Sequence, residues 1–390
     1  MTNALRYLGL LGLSCGLLLG CNSHTVKTTN HVPVERVSDE IPEHLLLDVG
    51  VQLFDPGIDD AADADSLIFP EVRKAESRYM PVRLVETLQT SAAWGAVRVV
   101  PPANTNSDIS VRGKIVQSDG EVLELEISVS DISGEPWFER IYIENASHYA
   151  YNERLIKGAD PFQGIYNQIA NDILAHKNKL SDTEIRNLRT IAELRFARDF
   201  SPSAFSEHLS QSKDGRYSVL RLPSDDDPML NRVRRIRERD YLFVDTLQDY
   251  YGTFVRDMEG PYQTWRAESY DAVITQKELE SQATMRTIAG IAAIVGGIAA
   301  AGNNSGAGRA AGQVAIAAGG YMVKSGFDKR EEAKMHSETL IELGDSLEAA
   351  IEPQIIELED RTITLSGTVE GQYDQWRELL KEIYKAETGL

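Results

Sequence analysis

The sequence predicts an α+β protein, and three observations carry that prediction. Leu123, Leu125, Ile127 and Val129 alternate with Glu124, Glu126, Ser128 and Ser130, the period of a strand with one dry and one wet face. Ser181-Asp182-Thr183-Glu184 has the form of a helix capping box ahead of a periodic apolar stretch from Ile185 to Asp199. Thr287 to Val323 is mostly Ala, Gly, Ile and Val, with no charge between Arg286 and Lys324 other than Arg309. The expected order is an N-terminal α/β sandwich-like domain over 44–150, a helical middle over 160–286, a Gly/Ala-rich helical hairpin over 287–325, and a helix plus a small ββα module over 329–390.

A chain of 390 residues is long enough for two or three domains. Its 42% hydrophobic and 26% charged content is ordinary for a globular protein. With 60 Asp and Glu against 40 Lys and Arg, the net charge of −20 repels nucleic-acid phosphates, so nucleic-acid binding is disfavoured.

There are two cysteines, and both lie near the start. Arg6 precedes a short apolar run from Tyr7 to Leu19, too short and too Gly-rich for a stable span, so residues 1–20 are expected to be a secretory signal peptide. The boundary Leu18-Leu19-Gly20-Cys21 resembles the lipobox of bacterial lipoproteins. That resemblance implies diacylation of Cys21, cleavage before it and N-acylation of the new terminus. Asn22, rather than Asp, resembles the pattern sorted to the outer membrane. The implied location is lipid-anchored at the outer membrane, on its periplasmic face or exposed at the surface. Three acyl chains exceed what stable anchoring requires, so no other segment is needed as a tether. Residues 21–43, rich in Ser, Thr, Asn and His, read as a flexible lipidated linker.

The first domain is expected to begin with a strand from Leu45 to Phe54. The acidic loop from Asp55 to Ser66 lacks the glycine and closing Glu of an EF-hand and reads as solvated. A helix follows from Glu71 to Thr90, where Pro81 predicts a bend or break. Strands are expected at Trp94 to Val100, Asp108 to Lys114, Val122 to Ser130 and Trp137 to Ile143. In its order of elements, and in the phrase from Pro81 to Leu88, this region resembles the TolB N-terminal type and the curli-secretion lipoprotein class. The resemblance implies an envelope setting and transfers no functional residue.

In the middle region, helices are expected from Pro161 and Ile185, a short one from Ser201-Pro202, and a strand near Arg216 to Leu222. Ser224-Asp225-Asp226-Asp227-Pro228 reads as another helix start. The helix carries Arg232, Arg234, Arg235, Arg237 and Arg239. Five Arg in eight residues, with Arg232, Arg235 and Arg239 as the candidate anion-binding residues, could grip the phosphates of phospholipid or lipopolysaccharide, against the alternative of a solvated helix paired with nearby carboxylates. Glu259-Gly260-Pro261 predicts a break.

In the uncharged segment, Ala289, Ala293, Gly297 and Ala301 recur every four residues. Gly308, Gly312 and Gly320 continue the pattern beyond a turn at Asn303 to Gly306. Such spacing lines one helical face with small side chains and lets two backbones approach closely. The segment resembles the glycine-zipper hairpins of some envelope proteins. Its first arm would span about 24 Å, short of a bilayer core of about 30 Å. Packing in water, an oligomer interface and membrane insertion all remain open.

A charged helix is expected from Lys329 to Ile351, ended by Pro353. Two strands around Asp360-Arg361 and a helix from Tyr373 to Ala386 follow. The phrase from Asp360 to Val369 resembles the core of a BON domain, a family associated with phospholipid or partner binding, although the sequence stops where that family's last strand would start.

The seven histidines show no ligand pairing, and the common nucleotide-binding and nucleophile motifs are missing. No cofactor is implied and no enzyme is expected. The expected role is a non-catalytic scaffold or accessory factor in envelope assembly, secretion or lipid transport, with an envelope protein partner or a homo-oligomer. The alternative is a membrane-active protein that oligomerises through the hairpin.

Overall fold

A computed structural model describes residues 32–58, 70–101, 106–152, 160–224, 226–300, 351–357 and 362–388. The fold is α+β. Strands β1 (Val49–Gln52), β2 (Val97–Val100), β3 (Ile109–Ser118), β4 (Val122–Asp131) and β5 (Pro136–Asn145) form one sheet, with helix α1 (Pro70–Thr90) between the first two. The order across the sheet is β2-β1-β3-β4-β5, with β1 parallel to both neighbours and the remaining pairs antiparallel. Parallel pairing of β1 and β2 follows from the intervening helix, which returns the chain to the same end.

The alternation read in β4 places Leu123, Leu125, Ile127 and Val129 in the core, each no more than 1% exposed. That face packs against α1 and α2 (Gln163–Lys177), whose Ile165, Ile169 and Ile173 are buried. Gly113 leaves space for the Phe54 ring, because a Cβ there would lie 2.6 Å from it. β1 is shorter than expected: Glu43–Leu45 forms a 3-10 turn, and the ladder starts only at Val49.

Helix α1 passes unbroken through Pro81. A proline removes the N–H that would bond four residues back. Here that carbonyl, Ser77 O, accepts the Phe54 backbone N–H at 2.9 Å, so the vacancy becomes a bond between helix and sheet.

Helix α3 (Asp182–Phe200) begins with the predicted box: Ser181 Oγ accepts from Glu184 N and Glu184 Oε2 accepts from Ser181 N. The short helix α4 (Pro202–Phe205) leads into a small hairpin of β6 (Leu209–Gln211) and β7 (Tyr217–Val219).

Helix α5 (Pro228–Ala300) corrects the expected break at Glu259-Gly260-Pro261, since its 73 residues cross that point. Proline within a helix costs about 3 kcal/mol. Met258, Tyr262 and Trp265 are no more than 2% exposed. Each such side chain contributes about 1.5–3 kcal/mol on burial, which outweighs the penalty. Thr264 Oγ1 also donates to the Gly260 carbonyl, at 3.2 Å. The same helix crosses the expected boundary at 287, so the first arm of the predicted hairpin continues α5 as far as Ala300. The turn and the second arm lie outside the described residues.

At the C-terminus, β8 (Ile351–Glu357) and β9 (Thr362–Gly367) pair antiparallel, followed by α6 (Val369–Thr388). Pro353 lies inside β8 at a register shift, where a missing N–H is tolerated. The ββα order matches expectation. The predicted helix at 329–350 lies outside the described residues.

Candidate functional site

Helix α5 is fixed to the rest of the protein at successive stations along its length. At its start, Asp227 Oδ1 accepts from Met229 N and Leu230 N, capping the first turn. Arg234 pairs with Glu193 on α3 through Nε at 2.6 Å and Nη2 at 3.2 Å.

The next station is buried. Asp240 is fully enclosed, receiving Asn106 Nδ2 at 3.1 Å and lying 3.7 Å from Arg377 Nη1 on α6. Phe243 stacks on Trp376, with ring centroids 4.8 Å apart. Burial pushes the Asp240 carboxyl above its usual range, against the opposing pull of Arg377. This contact fastens the C-terminal module to the long helix.

One turn further, α5 reaches the edge of the sheet. Arg98 on β2 makes a two-point ion pair with Asp245, at 2.5 and 3.0 Å. The Gln248 side chain donates to Val99 O at 2.8 Å and accepts from Val99 N at 2.9 Å, so one amide imitates a neighbouring strand.

The strongest station lies around Arg266. Its guanidinium is fully buried and bonds Asp160 through Nη1 at 3.2 Å and Nη2 at 2.8 Å. It also lies over the Tyr262 ring, 4.2 Å from the centroid. Burial alone would raise the Asp160 carboxyl, but the Arg266 charge and its hydrogen bonds hold it below the ordinary range. Tyr79 on α1 places its hydroxyl 3.1 Å from Asp160 and 2.7 Å from Glu259. Beside it, Glu76 accepts from Tyr262 at 2.7 Å and Ser118 at 2.6 Å. Burial pushes the Glu76 carboxyl upward, partly offset by Arg73.

Beyond this, the β3–β4 turn meets the helix backbone. Gly120 has φ +84°, and a Cβ there would lie 2.4 Å from Arg266 O and 2.7 Å from Tyr270 N. Lys277 then pairs with Glu121 on the same turn.

The predicted site residues fall in three places. Arg232 reaches Met229 Sδ, at 3.8 Å. Arg235 is exposed, and Arg239 pairs with Glu387 of α6 at 3.0 Å. Of the three, Arg239 is therefore already committed to a carboxylate. Ala289, Ala293 and Gly297 lie on the described backbone of α5. Cys21, Ala301, Gly308, Gly312 and Gly320 lie outside the described residues, as do Asp59, Asp60, Asp63 and Asp65 of the acidic loop.

No family model matches the chain, and no curated protein matches it. A solved structure of a Xanthomonas campestris protein described by the family model DUF330 is similar over 40% of this chain and 95% of its own. The identity is 12% and the TM-score 0.24, too low to carry an argument.

Sequence reasoning missed the buried charges. Arg266 and Asp160 are 106 residues apart, and nothing local marks them as partners. The available signal was the aromatic setting of Arg266, between Tyr262, Trp265 and Tyr270. Among the described residues no cluster of His, Cys, Asp and Glu is suited to a metal ion, and no helix is long and apolar enough to cross a membrane. What the arrangement can do is mechanical: it holds one long helix at a fixed attitude to the α/β domain and the C-terminal module together.

Proposed function

We propose that this chain is a non-catalytic lipoprotein of the bacterial outer membrane, attached through Cys21, that acts as a scaffold or accessory factor in envelope assembly, secretion or lipid transport. The observation that carries the reading is the continuity of α5 from its buried stations to the small-residue repeat. From Lys277 to Ala300 the helix rises about 35 Å. Ala289, Ala293 and Gly297 thus sit on the same rod that Arg266 and Asp240 fix to the body. A face of small residues favours close approach by another helix. The acyl chains would hold the protein at the membrane while the rod presents that face to an envelope partner.

The anchor is tested by labelling with palmitate and measuring the intact mass. The acylated form should be outer-membrane-bound, and Cys21→Ser should lose both the label and the sedimentation with membranes. A Cys21→Ser protein of unchanged mass and location would contradict the reading.

A second reading is supported by the low charge of 287–323. Here hairpins from several copies oligomerise in the bilayer and form a pore. Conductance in planar bilayers that disappears on Gly296→Leu or Gly312→Leu would favour it over the scaffold.

A further inference from the structure

The two edges of the five-stranded sheet differ. The β2 edge is closed: Gln248 occupies both backbone groups of Val99, and Gln89 Nε2 donates to Val97 O at 3.1 Å. The β5 edge is the other end of the sheet, paired on one side with β4. Along its solvent face stand Ile141 and Ile143, exposed by 61% and 56%. Among the described residues no strand pairs with the other side of β5, and a ten-residue edge strand with two exposed isoleucines is a template for another strand.

We propose that β5 pairs antiparallel with β5 of a second copy, joining two sheets into one of ten strands. The sequence of the strand supplies the argument for self-pairing. A two-fold axis perpendicular to the sheet keeps the helices of both copies on one side, and opposed residues must then point to the same face. This restricts the axis to pass through a residue. Centred on Arg140, the pairing sets like guanidinium groups face to face. Centred on Ile141, it sets Glu139 against Ile143. Centred on Tyr142, it sets Ile141 against Ile143 of the other copy twice, and Arg140 against Glu144 twice. Opposed apolar and opposite-charge pairs each stabilise a sheet, and like charges destabilise it. The Tyr142-centred register satisfies both rules at once.

The inner side of the seam suits this arrangement. Arg140 and the Tyr142 hydroxyl both donate to Asp172 of α2, at 2.7 and 2.8 Å, and Glu144 Oε2 accepts from Ile165 N at 2.6 Å, so both charged side chains of the pair are turned toward the helix layer. The four isoleucines would meet on the opposite, solvent side, beside Glu124 and Glu126 of β4, their cross-strand neighbours. This contact is independent of the small-residue face on α5 and of the Cys21 lipid.

The test uses the full chain carrying Cys15→Ser and Cys21→Ser, purified in mild detergent. Sedimentation should give a dimer, and Ile141→Lys combined with Ile143→Lys should give a monomer with unchanged circular dichroism. Separate Ile141→Cys and Ile143→Cys chains, mixed and mildly oxidised, should cross-link to each other in several-fold higher yield than either cross-links to itself. A monomeric parent, a dimer that survives both lysines, or equal yields from mixed and single variants would overturn the proposal. So would Ile141→Cys and Ile143→Cys chains, produced together, that cross-link in intact envelopes to a different protein and never to each other.

Discussion

Arg266 and Asp160 form a two-point ion pair with both side chains no more than 1% exposed, and it joins the long helix to the segment that leads into α2. Removing one member of such a pair leaves an uncompensated charge in the core and costs about 3–5 kcal/mol. Arg266→Met and Asp160→Leu should each lower stability by that order in urea unfolding. The double variant should cost markedly less than their sum, and strict additivity would contradict the coupling.

Gly120 lies where the β3–β4 turn touches the α5 backbone, and its φ is +84°. Gly120→Ala combines a left-handed conformation with two backbone clashes, so a loss of about 2–4 kcal/mol is expected. Hydrogen exchange should accelerate first around Ser269 and Tyr270. A neutral substitution would mean that the turn does not bear on the helix.

The Gln248 amide closes the β2 edge through two hydrogen bonds. Gln248→Ala should cost about 1–3 kcal/mol, because it leaves the Val99 N–H and C=O without a protein partner. Gln248→Glu keeps the acceptor and loses the donor, so its cost should be intermediate in thermal melts.

Asp108 is buried, and desolvation together with the nearby Asp48 pushes its carboxyl up to about 6, against the pull of Arg237. Unfolded, an aspartate titrates near 3.9. The folded form therefore holds its proton more tightly. The group's contribution is fully present below about pH 4 and is lost as the pH rises through about 6, by at most about 3 kcal/mol. Asp108→Asn has no such proton to lose. Its stability relative to the parent should improve between pH 4 and pH 7, and a flat difference would contradict the assignment.

The sequence made local structure legible wherever one pattern dominated. β4 follows its alternation residue by residue, and the Ser181 box caps α3 as read. Proline was misjudged at Pro81 and at Pro261, because a local helix breaker competes with tertiary gains that no local pattern displays. At Pro81 the gain is the Phe54 N–H, supplied by a strand far back in the chain. At Pro261 it is the burial of Tyr262 and Trp265. The arginine-rich start of α5 was only half legible. A solvated face describes Arg235, but Asp240 in the same stretch is fully buried against Arg377, a partner supplied by the last helix. The buried Arg266 network depends on residues from three separate stretches, and spacing alone could not join them.

On the proposed function, α5 would carry a helix-packing face from a fixed body to a partner in the envelope. The most direct measurement is photo-cross-linking in intact cells from single unnatural residues at Ala289, Ala293 and Gly297, with Arg235 as a comparison. A discrete adduct with one envelope protein is expected from the three small-residue positions, lost on Cys21→Ser. Adducts equally strong from Arg235, or none from any of the three in a folded, membrane-bound protein, would contradict it.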